Sequence, residues 1–211
     1  MQRIERKPRS VRRYREIGGV LDFAFFEDVG DAVQVARAAI GQALERAVAG
    51  RGRLDPAPLR SVSPRALSRD AFLGDWFDGR SGLLVHHGDF TIDIGERLAN
   101  PTCRQLEGVR LRSGGAPIPA LWAGGQFAYA FSQPPYGLQA SPGEIQALFE
   151  KVCDLILPPS LHSETLDWGS PALMDVSDYF LAGDEWWGVF LFTVRIPATR
   201  GMTVILGSTT D

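Results

Sequence analysis

Lysine is nearly missing from this chain of 211 residues, where only Lys7 and Lys151 stand among 22 basic residues. Arginine takes its place, as base composition alone can dictate, so the bias says nothing about activity. Cysteine is scarce too. Cys103 and Cys153 cannot make the disulfide framework of a small secreted domain, and the sequence leads to the expectation of no signal peptide. Reduced thiols and a cytoplasmic location are the expectation. No run approaches the roughly 20 apolar residues that cross a bilayer, so no membrane partner is expected. The dinucleotide glycine fingerprint, the phosphate-loop lysine motif and the Gly-x-Ser-x-Gly elbow are missing as well. No cofactor is expected from motifs of these kinds.

Apolar residues are plentiful, at 45% of the chain. Residues 186–194 read Trp-Trp-Gly-Val-Phe-Leu-Phe-Thr-Val, apolar on both faces of a strand. Such a strand belongs inside a sheet covered on both sides. Residues 202–206, Met-Thr-Val-Ile-Leu, supply its hairpin partner, and the end of the chain is expected in the core. Leu21, Phe23 and Phe25 alternate along an earlier strand. Residues 31–48 carry Ala36, Ile40, Ala43, Leu44 and Ala47 at helical spacing, with Asp31 as the expected cap. Residues 142–156 are signalled best: Ser141 caps, Pro142 opens, Glu144 completes a capping box, and Ile145, Leu148, Phe149, Val152, Cys153 and Ile156 form the inward stripe.

Residues 50–64 read as an irregular connector, and a short helix is expected to follow from Pro64. Between the main helices, residues 82–131 read as antiparallel strands. These include a hairpin turning at Gly88-Asp89 and a strand bearing Phe127, Tyr129 and Phe131. Strand links are short hairpins, not helical crossovers. The fold class expected is therefore α+β: one compact domain over residues 16–211, a largely antiparallel sheet with two main helices, and a basic arm at residues 1–15.

Charge is unevenly spread around a net of −3. Residues 1–15 hold seven basic residues against Glu5 alone, whereas residues 141–211 hold ten acids against Lys151, Arg195 and Arg200. The arm offers Arg3, Arg6, Arg9, Arg12 and Arg13 to nucleic acid, although Tyr14 is its single aromatic, a poor platform for stacked bases. The acidic part mixes carboxylates with large rings. Trp168, Tyr179, Asp184, Glu185, Trp186 and Tyr136 are candidate binding residues, because rings anchor partners and carboxylates take cations or donors. Asp178 and Glu185 are the candidate catalytic acids, since a carboxyl pressed against an aromatic ring has a raised pKa and keeps a proton to donate as a general acid. His86, His87 and Asp89 carry metal-ligand chemistry, but on a hairpin and without metal-site spacing.

Gln133-Pro134-Pro135-Tyr136 resembles the loop of amino-group methyltransferases. Gln133 stands where that family has Asp, Asn or Ser, and its glycine-rich cofactor loop is missing, which excludes the assignment. The Trp-Trp-Gly hairpin resembles the small α+β immunity proteins that bacteria keep beside secreted toxins. That resemblance implies a non-enzymatic, partner-binding protein of immunity or adaptor type, recognising a protein through an acidic, aromatic face, and carries over no catalytic residue. The alternative is a hydrolase-like enzyme or small-ligand binder that uses the acids near residues 178–185.

Overall fold

The computed structural model describes residues 1–50, 52–115, 119, 124–184 and 187–209. Its centre is a six-stranded sheet, antiparallel at every pairing. Six strands compose it: β1 (Gln2–Ile4), β2 (Asp22–Glu27), β3 (Arg65–Leu67), β9 (Glu164–Asp167), β10 (Val189–Ile196) and β11 (Gly201–Ser208), in the spatial order β1-β2-β11-β10-β9-β3. The small strands β4 (Phe77–Asp78) and β5 (Leu83–Leu84) pair with each other, and β6 (Asp89–Ile92) lies between β7 (Arg97–Ala99) and β8 (Leu111–Gly115).

Helices cover both faces of the large sheet. On one face lie α1 (Arg9–Glu16), α3 (Arg69–Leu73), α5 (Phe127–Ser132) and α6 (Pro142–Ile156), whose apolar residues join Phe23, Phe25, Phe190, Phe192, Val194 and Ile205. On the other lie α2 (Val33–Val48) and α7 (Leu173–Val176), packed with Ala24, Phe26, Leu191, Val204 and Leu206. A further short helix, α4 (Cys103–Leu106), leans on α6. The alternation of strand side chains sets this division, because neighbours along a strand point to opposite faces. Both faces of β10 are thus occupied, and Val189 to Val194 are all buried. The α+β class and the antiparallel sheet agree with the sequence reading.

Local signals explain several boundaries. The Ser141 hydroxyl accepts from Glu144 N at 3.2 Å, capping α6 where its sequence said it would. The Glu144 carboxylate, however, turns to Arg13. Helix α2 starts at Val33 after Ala32 and has no side-chain cap, so Asp31 does not serve as one. From Pro64 the chain first makes β3, and the helix comes later, capped by Ser68.

Two expectations in residues 82–131 fail. Leu83–Leu84 pairs backward with Phe77–Asp78, not forward with β6, so the hairpin at Gly88-Asp89 does not form. Phe127 to Phe131 is helical, and every residue of α5 is buried. A helix enclosed on all sides shows no polar face, so its Phe-Ala-Tyr-Ala-Phe alternation mimics a strand. Gly124, Gly125 and Gln126 all take positive φ just before it, and a Cβ at Gly125 would strike the Ala71 carbonyl oxygen.

Residues 1–15 are built into the body. Strand β1 pairs with β2, and Val11 and Tyr14 of α1 are buried. The Tyr14 ring stacks on Phe131 at 4.2 Å between centroids. The connector at residues 50–64 is also tied down: the Arg37 guanidinium donates to the carbonyls of Leu59 and Val62, each at 3.1 Å. Phe149 sits among the rings of Phe77, Phe127 and Phe131. Phe149→Ala is expected to lower unfolding free energy by about 3–5 kcal/mol in equilibrium denaturation, the cost of a ring-sized cavity in a close-packed layer.

Candidate functional site

The two adjacent histidines part company. His86 Nε2 lies 3.4 Å from Cys103 Sγ, and its Nδ1 lies 3.0 Å from Gln133 Nε2. His87 instead donates from Nε2 to the Asp75 carbonyl at 2.8 Å and meets the Trp76 ring edge-on. Asp89 is exposed at the start of β6. Among the described residues no group of three or more His, Cys, Asp or Glu is placed to hold a metal ion. Burial pushes the His86 pKa down to about 4. Burial, aided by Glu107, pushes the Cys103 thiol up to about 12. Both shifts favour neutral partners, so the pair is a thiol beside a neutral imidazole and not a thiolate with an imidazolium.

The aromatic candidates divide between core and surface. Trp168 is fully buried, donates from Nε1 to Thr193 Oγ1 at 3.0 Å, and carries the Arg37 guanidinium above its ring. The Tyr179 hydroxyl donates to Asp22 Oδ2 at 3.3 Å, and burial raises its pKa well above the usual phenol value. Asp178 accepts from Arg53 N at 2.8 Å and Arg53 Nε at 3.3 Å, which engages it in fixing the connector. Asp184 is exposed on a single 3-10 turn, Ala182–Asp184. Tyr136 is 72% exposed in the turn that follows Pro134 and Pro135. Glu185 and Trp186 lie outside the described residues. Their neighbour Trp187 is buried and donates to the Gln133 carbonyl at 2.6 Å. The buried rings of this acidic segment, Trp168 and Trp187, therefore serve as core.

The basic residues are arranged differently. Val11 and Tyr14, three apart, turn into the core, so Arg9, Arg12, Arg13 and Glu16 turn out together. Helix α6 runs beside α1 and supplies the second wall of a groove of about 950 Å³. Arg13 spans its floor: Nη2 sits 2.8 Å from Glu144 Oε1, and Nη1 sits 3.4 Å from Glu16 Oε2. Arg9, Arg12 and Lys151 line the groove and take part in no ion pair among the described residues. Leu155, one helical turn beyond Lys151, is exposed on the same side of α6. Arg6 is exposed just before α1, and Arg3 is drawn away to the Gln42 carbonyl at 2.9 Å.

The sequence pointed to the arginines but not to Lys151 or Leu155. Their position opposite the inward stripe of α6 marked them as outward, but only the packing of α1 on α6 makes them part of one surface.

No protein-family model, no curated protein and no solved structure matches this chain.

The His86–Cys103 pair has measurable consequences. A histidine with pKa about 4 when folded, against 6.5 in an unfolded chain, binds fewer protons folded than unfolded between those values. Its contribution to stability is present above about pH 6.5 and is lost as pH falls toward 4. Thermal unfolding across that window is expected to shift downward, and His86→Gln is expected to remove this share of the shift. Separately, Cys103 and Cys153, both buried with raised pKa, are expected to resist a maleimide reagent at pH 8 and to label fully in denaturant, read by mass spectrometry.

Proposed function

We propose that this protein is a non-enzymatic binding protein that captures an acidic segment of a protein partner in the groove between α1 and α6. The observation that carries the reading is the row of cations that take part in no ion pair among the described residues, Arg9 and Arg12 on one wall and Lys151 on the other. Guanidinium groups recognise carboxylates through paired, planar hydrogen bonds. Ala147 and Leu148 in the lining add apolar contact. An immunity or adaptor role is the kind of work such a surface would do, holding one partner without turning it over.

An acidic peptide suits the groove better than nucleic acid. None of its lining residues is aromatic, so bases would find no stacking surface. Glu16 and Glu144 interrupt the cations and would oppose a densely charged phosphate backbone. Helix α1 is only eight residues long, about 12 Å, which matches two or three turns of ligand side chains and not a long duplex contact. The chain's net charge of −3 would also repel an extended polyanion beyond the groove.

Fluorescence anisotropy with a labelled glutamate-rich helical peptide, and separately with a labelled oligonucleotide of similar length, tests the reading. The peptide is expected to bind, more weakly as salt rises, because exposed ion pairs contribute only about 0.2–1 kcal/mol each and are screened. The double charge reversal Arg9→Glu with Arg12→Glu is expected to weaken peptide binding by about tenfold or more. Preference for the oligonucleotide, or indifference to the reversal, would sink the proposal.

A further inference from the structure

A second concentration of cations lies on the far side of α1, in a cavity of about 370 Å³ between β1 and α2. Four elements each deliver one: Arg3 from β1, Lys7 from the loop before α1, Arg15 from the last turn of α1, and Arg46 from the last turn of α2. Two carboxylates, Asp22 and Glu5, also line it, so two positive charges are left over. The convergence is structural, because the donors come from positions 3 to 46 and meet only when β1 pairs with β2 and α2 packs behind them.

The acids organise the site more than they neutralise it. Asp22 Oδ1 accepts from Arg15 at 2.9 Å and lies 4.0 Å from Lys7, while its other oxygen takes the Tyr179 hydroxyl. This carboxylate is 20% exposed and is held from both sides, so it fixes the two cations that face it. The Glu5–Arg46 contact is longer, at 3.9 Å, between two side chains each 72% exposed, and is readily exchanged. Arg3 uses one nitrogen on the Gln42 carbonyl, which pins β1 to α2 across the cavity. Each guanidinium has five N–H donors and the ammonium three, more than the acceptors at Gln42, Asp22 and Glu5 engage among the described residues. Burial lowers the Lys7 pKa, Asp22 opposes that, and Arg15, Arg3 and Arg46 add to it. The cations repel one another, and an anion among them would relieve that repulsion.

We propose that this cavity binds the phosphoryl group of a phosphate monoester, with Lys7, Arg3 and Arg46 as direct ligands and Asp22 as the residue that positions Lys7 and Arg15. A planar carboxylate offers two oxygens on one side. A tetrahedral phosphoryl group offers three, spread toward cations that arrive from different directions. The volume exceeds that of the phosphoryl group alone and leaves space for a small polar body. The site is separate from the α1–α6 groove and shares no lining residue with it.

Isothermal titration of the full chain with inorganic phosphate, glycerol phosphate and acetate tests the assignment, with flotation on phosphatidylcholine vesicles containing phosphatidic acid as a fourth arm. Glycerol phosphate is expected to bind, and acetate to bind at least about tenfold more weakly. Lys7→Gln and Arg46→Gln are each expected to weaken glycerol phosphate by about tenfold or more, the usual effect of losing one charge-assisted hydrogen bond. Their melting temperatures should stay at the parent value, and Arg12→Gln in the groove should leave this binding unchanged. Vesicle capture that Lys7→Gln abolishes would identify the source of the phosphoryl group as a lipid headgroup; vesicles left behind while glycerol phosphate binds would identify a soluble ester. No binding in any arm, acetate equal to phosphate, or variants equal to the parent would overturn the proposal.

Discussion

Strand β10 has to be dry on both faces, and the rest of the molecule follows from satisfying that demand. An eight-residue strand with Phe190, Phe192 and Val194 on one side and Val189 and Leu191 on the other cannot lie on a surface. Its edges are closed by β9 and β11, and its faces by α5 and α6 in front and α2 and α7 behind. The fully enclosed α5 and the buried Trp168 and Trp187 belong to the same solution, because large rings fill the space between a twisted sheet and straight helices. The conversion of the acidic segment's aromatics into core is thus a consequence of sheet burial, and it moves the recognition chemistry elsewhere.

That chemistry sits around α1. One helix of eight residues separates two basic concavities, an open groove on its α6 side and a smaller cavity on its α2 side. Val11 and Tyr14 anchor the helix inward, and this anchoring sorts the remaining residues between the two surfaces: Arg9, Arg12 and Arg13 to the groove, Arg15 to the cavity. The groove suits carboxylates strung along a partner. The cavity, with cations arriving from four elements, suits a single compact anion.

Helices with one wet face are legible in the sequence, and so is the terminal hairpin. The inward stripe of α6 and the cap at Ser141 depend only on residues within a few positions of one another. The pairing of Phe77–Asp78 with Leu83–Leu84 and the helical state of Phe127–Ser132 were not legible, because surroundings decided them. Alternation fails as a signal where every direction is apolar. For the surfaces, the excess of basic residues at positions 1–15 was plain, but its division between two concavities required knowing that α6 packs beside α1 and that α2 lines the cavity that β1 and Arg15 share. Asp178 had the right chemistry for a catalytic acid and turned out to be engaged with Arg53, a long-range pairing that composition cannot reveal.

The order of strands across the sheet has a cost during synthesis. Ala24 of β2 lies opposite Val204 of β11, nearly the whole described chain away. A ribosome delivers β2, with its Phe-Ala-Phe-Phe run, long before the strand that will shield it. Until then the edge that β11 will pair with is available to other nascent chains, and loop closure over such a span is slow. Holdase chaperones that bind aromatic, uncharged stretches would find their first target at this strand, and expression yield should depend on them more than the stability of the finished protein suggests.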